Sequence, residues 1–535
     1  MSELVLLGDE AIALGALDAG LSGVYAYPGT PSTEITEYIQ RSQEARSRKV
    51  HTDWSANEKT AMETALGMSY AGKRSMVCMK HVGLNVAADP FINSAITGVN
   101  GGMVVVAADD PSMHSSQNEQ DSRFYGSYAM IPILEPSNQQ EAYNLTYDAF
   151  ELSERLGLPV MIRIPTRLAH SRSGVTRSEK IPENRLSLPG DPNQFILLPA
   201  YARKRYRNLL SLQPELLLES VRSKNNRIEE GNDRTKGIIA CGLAYNYYRE
   251  IAISEKLDFP LLKISQYPVS PELISEFVST VQEIYVFEEG APFLEQSLTG
   301  ILNCNYRIKG RLNGTLPRDG ELNPVLIAGA MGFNWSPKRA VPDLVVNRPP
   351  ALCKGCGHID MYNALNAALG SQGRGKVFSD IGCYTLGALP PYNAINSCVD
   401  MGASITMAKG AADAGLRPSV AVIGDSTFTH SGMTGLLDAV VESSPITVII
   451  SDNSTTGMTG GQKSHATDRL FSICRGLGVE EKHLIVMNPL RKFHDENSEI
   501  IHRELEYEGL SVIISSRECI QTLIRKKKTE KRLNL

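Results

Sequence analysis

An aspartate and an asparagine, 28 positions apart, close two successive apolar runs. Asp425 follows Val420 to Ile423, and Asn453 follows Ile446 to Ser451. Between them, Met433 to Val441 has helical spacing, so the three pieces read as one strand, helix, strand unit. Parallel neighbours set Asp425 and Asn453 side by side at the carboxyl ends of their strands, where α/β sheets collect ligands. Mg²⁺ takes a few rigid oxygen donors from the protein and lets substrate phosphates supply the rest. A carboxylate, a carboxamide and a backbone carbonyl suffice, so this segment predicts a magnesium diphosphate site. The bland alternative is a Gly-Asp pair that merely ends a strand.

Sulfur forms the second set. Cys353 and Cys356 make a CKGC pair, Cys383 follows in DIGCYTLG, and Cys519 comes after the apolar run Leu510 to Ile514. Four thiolates suit zinc or a 4Fe-4S cluster, and spacing alone does not choose between them. Cys78, Cys241, Cys304, Cys398 and Cys474 sit in apolar or ordinary surroundings and read as core or incidental thiols. The third set is acidic: Glu58 opens an Ala/Met-rich helical pattern in WSANEKTAMETALG, and Glu63 lies on the same helix. A carboxylate in a first helical turn is favoured by the macrodipole whatever else it does.

These residues need a large scaffold, and 535 residues with 42% apolar content can bury several cores. Strand-like runs at Val24 to Tyr27, Met76 to Met79, Met103 to Ala107 and Val160 to Ile164 alternate with helical patterns, so 1–170 reads as a doubly wound α/β domain. An Arg- and Asn-rich stretch, 171–236, reads as a linker with local helix near Pro214 to Ser223. A smaller α/β domain is expected over 237–335, a proline-bearing connector over 336–350, and a third α/β domain over 351–524. The basic end, 525–535, reads as a solvated tail. Net charge is −5, which gives no general attraction for nucleic acid or anionic membranes. With no basic leader and no run of eighteen apolar residues, a cytoplasmic protein is expected. Nine cysteines, an odd number, argue against a disulfide framework.

The spacing from Gly424 and Asp425 to Asn453 resembles the thiamine diphosphate signature, with Ser426 where glycine is common. Longer motifs extend the likeness over nearly the whole chain: YAYPGTPSTEITEYI, NEKTAMETALG, KHVGLNVAADP, DDPSMHSSQNEQDSRFY, VFEEGAPFLE, LPRDGELNP, CKGCGH and DIGCYTLGALPP. Together they resemble the alpha subunits of indolepyruvate ferredoxin oxidoreductases, within the 2-oxoacid ferredoxin oxidoreductase superfamily. The resemblance implies two doubly wound, parallel-sheet thiamine diphosphate domains with a smaller transketolase C-terminal-like domain between them. It implies Mg²⁺ held by Asp425, Asn453 and the Thr455 carbonyl, with Gly424, Ser426 and Gly402 also at the cofactor. It gives Glu58 the contact to N1′ of the pyrimidine, with Glu63 as runner-up, and Thr30 the contact to the substrate carboxylate. His81 and Arg123 lie in similar loops and could face the oxoacid. One proximal 4Fe-4S cluster on Cys353, Cys356, Cys383 and Cys519 is implied, as are a smaller beta subunit, ferredoxin, coenzyme A and an aryl pyruvate.

Two departures stand out. Relatives usually continue into a ferredoxin-like module with two CxxCxxCxxxC runs, which this sequence lacks, and GGQKSH at Gly460 to His465 replaces a His/Pro-bearing loop. The rival readings are a non-oxidative thiamine diphosphate decarboxylase or lyase that leaves the cysteines inert, and a subunit without catalysis. A zinc-stabilised nucleotide-fold oxidoreductase ranks last, because no GxGxxG follows a strand at the expected place.

Overall fold

A computed structural model describes residues 4–191, 193–301, 307–337, 345, 351–370, 376–398 and 400–533, with side chains omitted over 299–301 and 530–533. It divides into two compact units, Met1–Ala340 and Val341–Leu535.

The first unit is built on a six-stranded sheet in the order Gln266–Tyr267, Ile133–Leu134, Val160–Pro165, Met103–Asp109, Ser75–Lys80 and Gly23–Ala26. All neighbours are parallel except the first pair. The strands Ser75–Lys80, Met103–Asp109 and Val160–Pro165 are buried throughout, as strands covered on both faces must be. On one face the helix Gly8–Asp18 packs against Gln139–Leu156. Gly15 makes that approach close, because a Cβ there would lie 2.5 Å from the Tyr143 carbonyl oxygen.

A second, five-stranded sheet runs Arg307–Lys309, Glu283–Phe287, Gly237–Cys241, Leu261–Ile264 and Arg227–Glu229, parallel except at the last strand. The stretch expected as a smaller α/β domain, 237–335, supplies four of these five strands. Gln266–Tyr267 adds to the first sheet, and both sheets belong to one unit. The stretch expected as a linker is likewise structured. Arg172–Val175 pairs antiparallel with Leu4–Leu7, and Pro199–Arg222 is a 24-residue helix with Pro214 inside it. Leu209, Leu212 and Leu216 fall at helical spacing on its buried side. Flanking arginines and the proline hide that stripe in the sequence. The connector 336–350 lies almost wholly outside the described residues.

The second unit holds a six-stranded, all-parallel sheet in the order Ser397–Cys398, Val377–Ser379, Val420–Gly424, Thr447–Asp452, Ser511–Ser516 and Leu484–Met487. Chain direction across the sheet reverses between Val377–Ser379 and Val420–Gly424, which makes a crevice for ligands at their carboxyl ends. The expected helix Met433–Val441 is present. The basic end is not a loose tail: Ile520–Leu533 is helical, and Arg525 donates to the Gly460 carbonyl at 2.5 Å. Among the described residues, no helix is long and apolar enough to cross a membrane.

Candidate cofactor and metal site

The register of the two central strands pairs Gly424 with Ser451, so Asp425 leaves the sheet level with Asp452 and one residue short of Asn453. Asp425 is 2% exposed, and its Oδ2 atom has no hydrogen-bond partner. Burial and the neighbouring Asp452 carboxylate push its carboxyl up to about 7, against a hydrogen bond from Ser464. Asp452 is itself held by the Ser454 amide at 3.0 Å and the Ser516 hydroxyl at 2.7 Å. Asn453 accepts the Thr455 amide at 3.0 Å through Oδ1 and turns Nδ2 toward His358 Nε2 at 3.4 Å. His358 meets Ser451 Oγ through Nδ1 at 2.7 Å, and burial lowers its pKa to about 4. A neutral imidazole therefore donates from Nδ1 and accepts at Nε2, which fixes the Asn453 amide with its oxygen turned away from the ring. Thr455 is buried in a short ladder with Lys463 and donates its hydroxyl to the Gln462 carbonyl at 2.8 Å.

An unsatisfied buried carboxylate oxygen beside a second carboxylate, with an oriented carboxamide one residue on, is a donor set for a hard divalent cation. The residues present fit Mg²⁺ on Asp425, Asn453 and the Thr455 carbonyl. The remaining candidates line the same end of the sheet. A Cβ on Gly424 would sit 2.5 Å from the Tyr384 ring, and Ser426 Oγ lies 3.1 Å from Thr456 Oγ1. Gly402, at φ +97°, caps the helix Ala403–Asp413, and its Cα faces Ser431 too closely for a side chain. That helix start is tied to Asp380, which accepts Ser404 N at 3.2 Å, Ser404 Oγ at 2.5 Å and the Tyr384 hydroxyl.

The four expected cysteines come together. Cys353, Cys356, Cys383 and Cys519 line one cavity of about 90 Å³ with Asn453 and Arg525 in its wall. Burial and the other three sulfurs push the Cys383 thiol up to about 12. The Cys519 amide donates to the Asn453 carbonyl at 3.1 Å, so the fourth cysteine hangs from the same turn as the metal donors. Gly457 in that turn lies against Cys383, since a Cβ there would sit 2.9 Å from its Sγ. Among the described residues, no three of these sulfurs close to within 4.8 Å, as a tetrahedral ion with Zn–S near 2.3 Å would require. Four thiols around a cavity fit a larger inorganic group. Cys78, Cys241 and Cys474 are buried, Cys398 is half-buried against the Asp380 carbonyl, and Cys304 lies outside the described residues.

In the first unit, Glu58 begins the helix Glu58–Tyr70 behind an Asn57 cap and is 6% exposed. Its carboxylate lies against Gly83, where a Cβ would come within 2.5 Å of Oε1. Glu63, one turn on, is exposed and paired with Lys59. Thr30 sits in the loop after Gly23–Ala26, where its carbonyl accepts Ser115 Oγ at 3.3 Å. Lys80 reaches that loop through the Ser115 carbonyl at 2.7 Å, with burial lowering it to about 8. His81 is buried, with Nε2 on the Asn118 carbonyl at 3.2 Å and Nδ1 without a partner. Arg123 must be corrected as an oxoacid contact. It is 0% exposed, and its donors are taken by Asp121, Tyr267, Glu288 and the Glu289 and Ala291 carbonyls. No N–H is left for a substrate. His358, Asp380, Asp452 and Ser464 were not singled out from the sequence. His358 directly follows the CKGCG run and Asp380 opens DIGC, so adjacency to a motif was the available signal.

The class follows from comparison with known proteins. Residues 380–486 match the family described as "Thiamine pyrophosphate enzyme, C-terminal TPP binding domain", and residues 14–191 match "Pyruvate flavodoxin/ferredoxin oxidoreductase, thiamine diP-bdg". The chain is thus a thiamine diphosphate enzyme of the 2-oxoacid oxidoreductase type. It is 40% identical to "Indolepyruvate oxidoreductase subunit IorA" of Archaeoglobus fulgidus, covering 97% of this chain and 86% of that one. The same-named subunits of Methanothermobacter thermautotrophicus and Pyrococcus horikoshii are 39% and 36% identical over 97% of this chain. The chain belongs to the indolepyruvate oxidoreductase subunit IorA family. A solved 2-oxoglutarate:ferredoxin oxidoreductase from Magnetococcus marinus shares the fold, at TM-score 0.52 and 19% identity, over 62% of this chain and 65% of that one.

Proposed function

We propose that this chain is the thiamine diphosphate-bearing subunit of an enzyme that oxidatively decarboxylates aryl pyruvates such as indolepyruvate. The observation that carries the oxidative reading is the hydrogen bond from the Cys519 amide to the Asn453 carbonyl. It ties a four-cysteine cavity to the metal turn. A non-oxidative lyase has no use for that arrangement.

Thiamine diphosphate with Mg²⁺ supplies, when bound, the carbanion chemistry that releases CO₂ from a 2-oxoacid. Asp425 and Asn453, with the Thr455 carbonyl, hold the ion, and Gly424, Ser426 and Gly402 border the diphosphate. His358 and Ser451 keep the Asn453 oxygen available. Glu58 serves the pyrimidine nitrogen, and Thr30 and His81 meet the oxoacid. Cys353, Cys356, Cys383 and Cys519 carry one 4Fe-4S cluster. Overall, a 2-oxoacid and coenzyme A give acyl-CoA, CO₂, a proton and two electrons, which leave singly to two ferredoxin molecules. A smaller beta subunit completes the enzyme, and the heteromer works in the cytoplasm.

The test is anaerobic purification with any co-purifying small subunit, followed by iron, sulfide and absorbance measurements. About four irons per chain, bleaching when indolepyruvate, coenzyme A and thiamine diphosphate are added, is the expected result. CO₂ release without iron would replace it with a lyase, and neither signal would leave a non-catalytic subunit.

A further inference from the structure

Three side chains outside the cofactor machinery converge in the first unit. Asp9 lies in the first turn of Gly8–Asp18, Glu34 in the first turn of Thr33–Arg41, and His170 ends the helix Thr166–His170. One ligand atom from each lies within 4.8 Å of the other two, with His170 Nε2 3.6 Å from Glu34 Oε2. Asp9 is 0% exposed, and neither of its carboxylate oxygens has a hydrogen-bond partner.

The other end of the same helix shows how this fold treats a buried carboxylate. Asp18, also 0% exposed, is met by the Arg177 guanidinium and by the Tyr143 hydroxyl at 2.7 Å. Asp9 has no such cation. The charges nearest it are the carboxylates of Glu34 and Glu10. The free amides of a helix start favour an aspartate by far less than burying an unpaired ion costs. An ion with two positive charges would balance Asp9 and Glu34 together. Two carboxylates and an imidazole suit a borderline divalent transition metal better than Ca²⁺ or Mg²⁺, which take oxygen alone. His170 is exposed, and an open cavity of about 380 Å³ lined by Glu10, Glu34, Glu37, Tyr38 and Arg41 reaches the Glu34 side of the group.

We propose that Asp9, Glu34 and His170 form a binding site for one divalent transition-metal ion, Zn²⁺ or a neighbour in the series, that closes the ends of three helices. The site is independent of the reaction assigned above, and its readout is metal content.

Chelator-treated full-length protein, dialysed against Zn²⁺, is compared with Asp9→Asn, His170→Ala and Asp425→Asn. Asp9→Asn should bind one zinc fewer per chain than the wild type, and Asp9→Asn combined with Asp425→Asn one fewer than Asp425→Asn alone, so that zinc taken by the Asp425 site is subtracted. The exposed His170→Ala change leaves the interior intact and should weaken that zinc at least about tenfold, which covers the case in which Asp9→Asn does not fold. Zinc should also raise the melting temperature of the wild type and leave that of Asp9→Asn where it was. Equal zinc stoichiometry and affinity in the wild type and the Asp9 and His170 variants would overturn the site. So would a wild type indifferent to zinc whose Asp9→Asn variant is more stable, because the two acids would then share a proton.

Discussion

Two buried charged regions in this chain obey opposite rules. In the first unit, Arg123 and Arg163 are both fully buried among Asp109, Asp121, Glu135 and Glu288. Arg163 meets Asp109 at 2.6 Å and Glu135 at 2.5 Å, and it donates to the Glu289 carbonyl at 3.0 Å. Each guanidinium is matched by carboxylates and carbonyls, so the network holds two sheets together and has nothing to offer a ligand. In the second unit, Asp425 faces Asp452 with one oxygen unsatisfied, and four thiols surround a cavity. The residue types overlap; what separates structure from site is whether the partners are supplied from within the chain.

Removing one member of the matched network should have the largest effect. Arg123→Met leaves Glu288 without its cation and Asp121 with Arg163 alone at 3.6 Å, and breaking a buried pair from one side costs about 3–5 kcal/mol. Urea unfolding should show that loss, and activity should fall with the folded fraction. A variant as stable as the wild type would break the comparison, because the network would then be dispensable.

Glu289 sharpens the same point through pH. Burial pushes its carboxyl up to about 7, although the Leu322 amide and Arg311 favour the charged form. Between the ordinary carboxylate range and pH 7 the folded state binds more protons than the unfolded state, so stability falls as pH rises through that window. A shift of this size corresponds to at most about 3 kcal/mol. Glu289→Gln should flatten stability between pH 5 and 7, leave little change at pH 5, and be the more stable protein at pH 8. A slope that survives the substitution would assign the effect to Glu288 or Asp109.

At the unmatched region the sign reverses. Asp425→Asn removes a buried carboxylate of which one oxygen has no partner in the chain, so the protein without cofactor should gain about 1–3 kcal/mol at pH 8. The same change should abolish retention of thiamine diphosphate and Mg²⁺, read by calorimetry. More stability with less binding is the signature of a site; a loss of both would make Asp425 structural.

That distinction also marks what the sequence could show. The strands beneath Asp425 and Asn453, and the helix between them, were legible because each is a continuous apolar or periodic run ending at a polar residue. The four cysteines were legible as types, and only the fold could show that a residue 163 positions beyond Cys356 shares a cavity with it. Arg123 was illegible as structure, because beside the local Asp121 its partners are Glu135, Glu288 and the Glu289 and Ala291 carbonyls, which come from other parts of the chain. The same is true of 237–335: nothing in Gln266 or Tyr267 announces an added strand on Ile133–Leu134. Contacts local in sequence could be read, and contacts between sheets could not.

The smallest effect concerns two glutamates on one helix. Glu63 is exposed and paired with Lys59 four residues away, an arrangement that contributes about 0.3–0.5 kcal/mol. Glu63→Ala should therefore cost no more than that in urea unfolding and leave turnover unchanged. Glu58→Gln keeps the size of a side chain lying against Gly83, so stability should again move little. Turnover should nevertheless fall by about 10²-fold or more if the carboxyl proton is what the pyrimidine takes, the range in which positioned acid–base groups contribute. Two substitutions with near-equal stability and widely different rates would extend the rule from buried ions to a single helix. Equal rates would return Glu58 to the plainer role of a first-turn carboxylate.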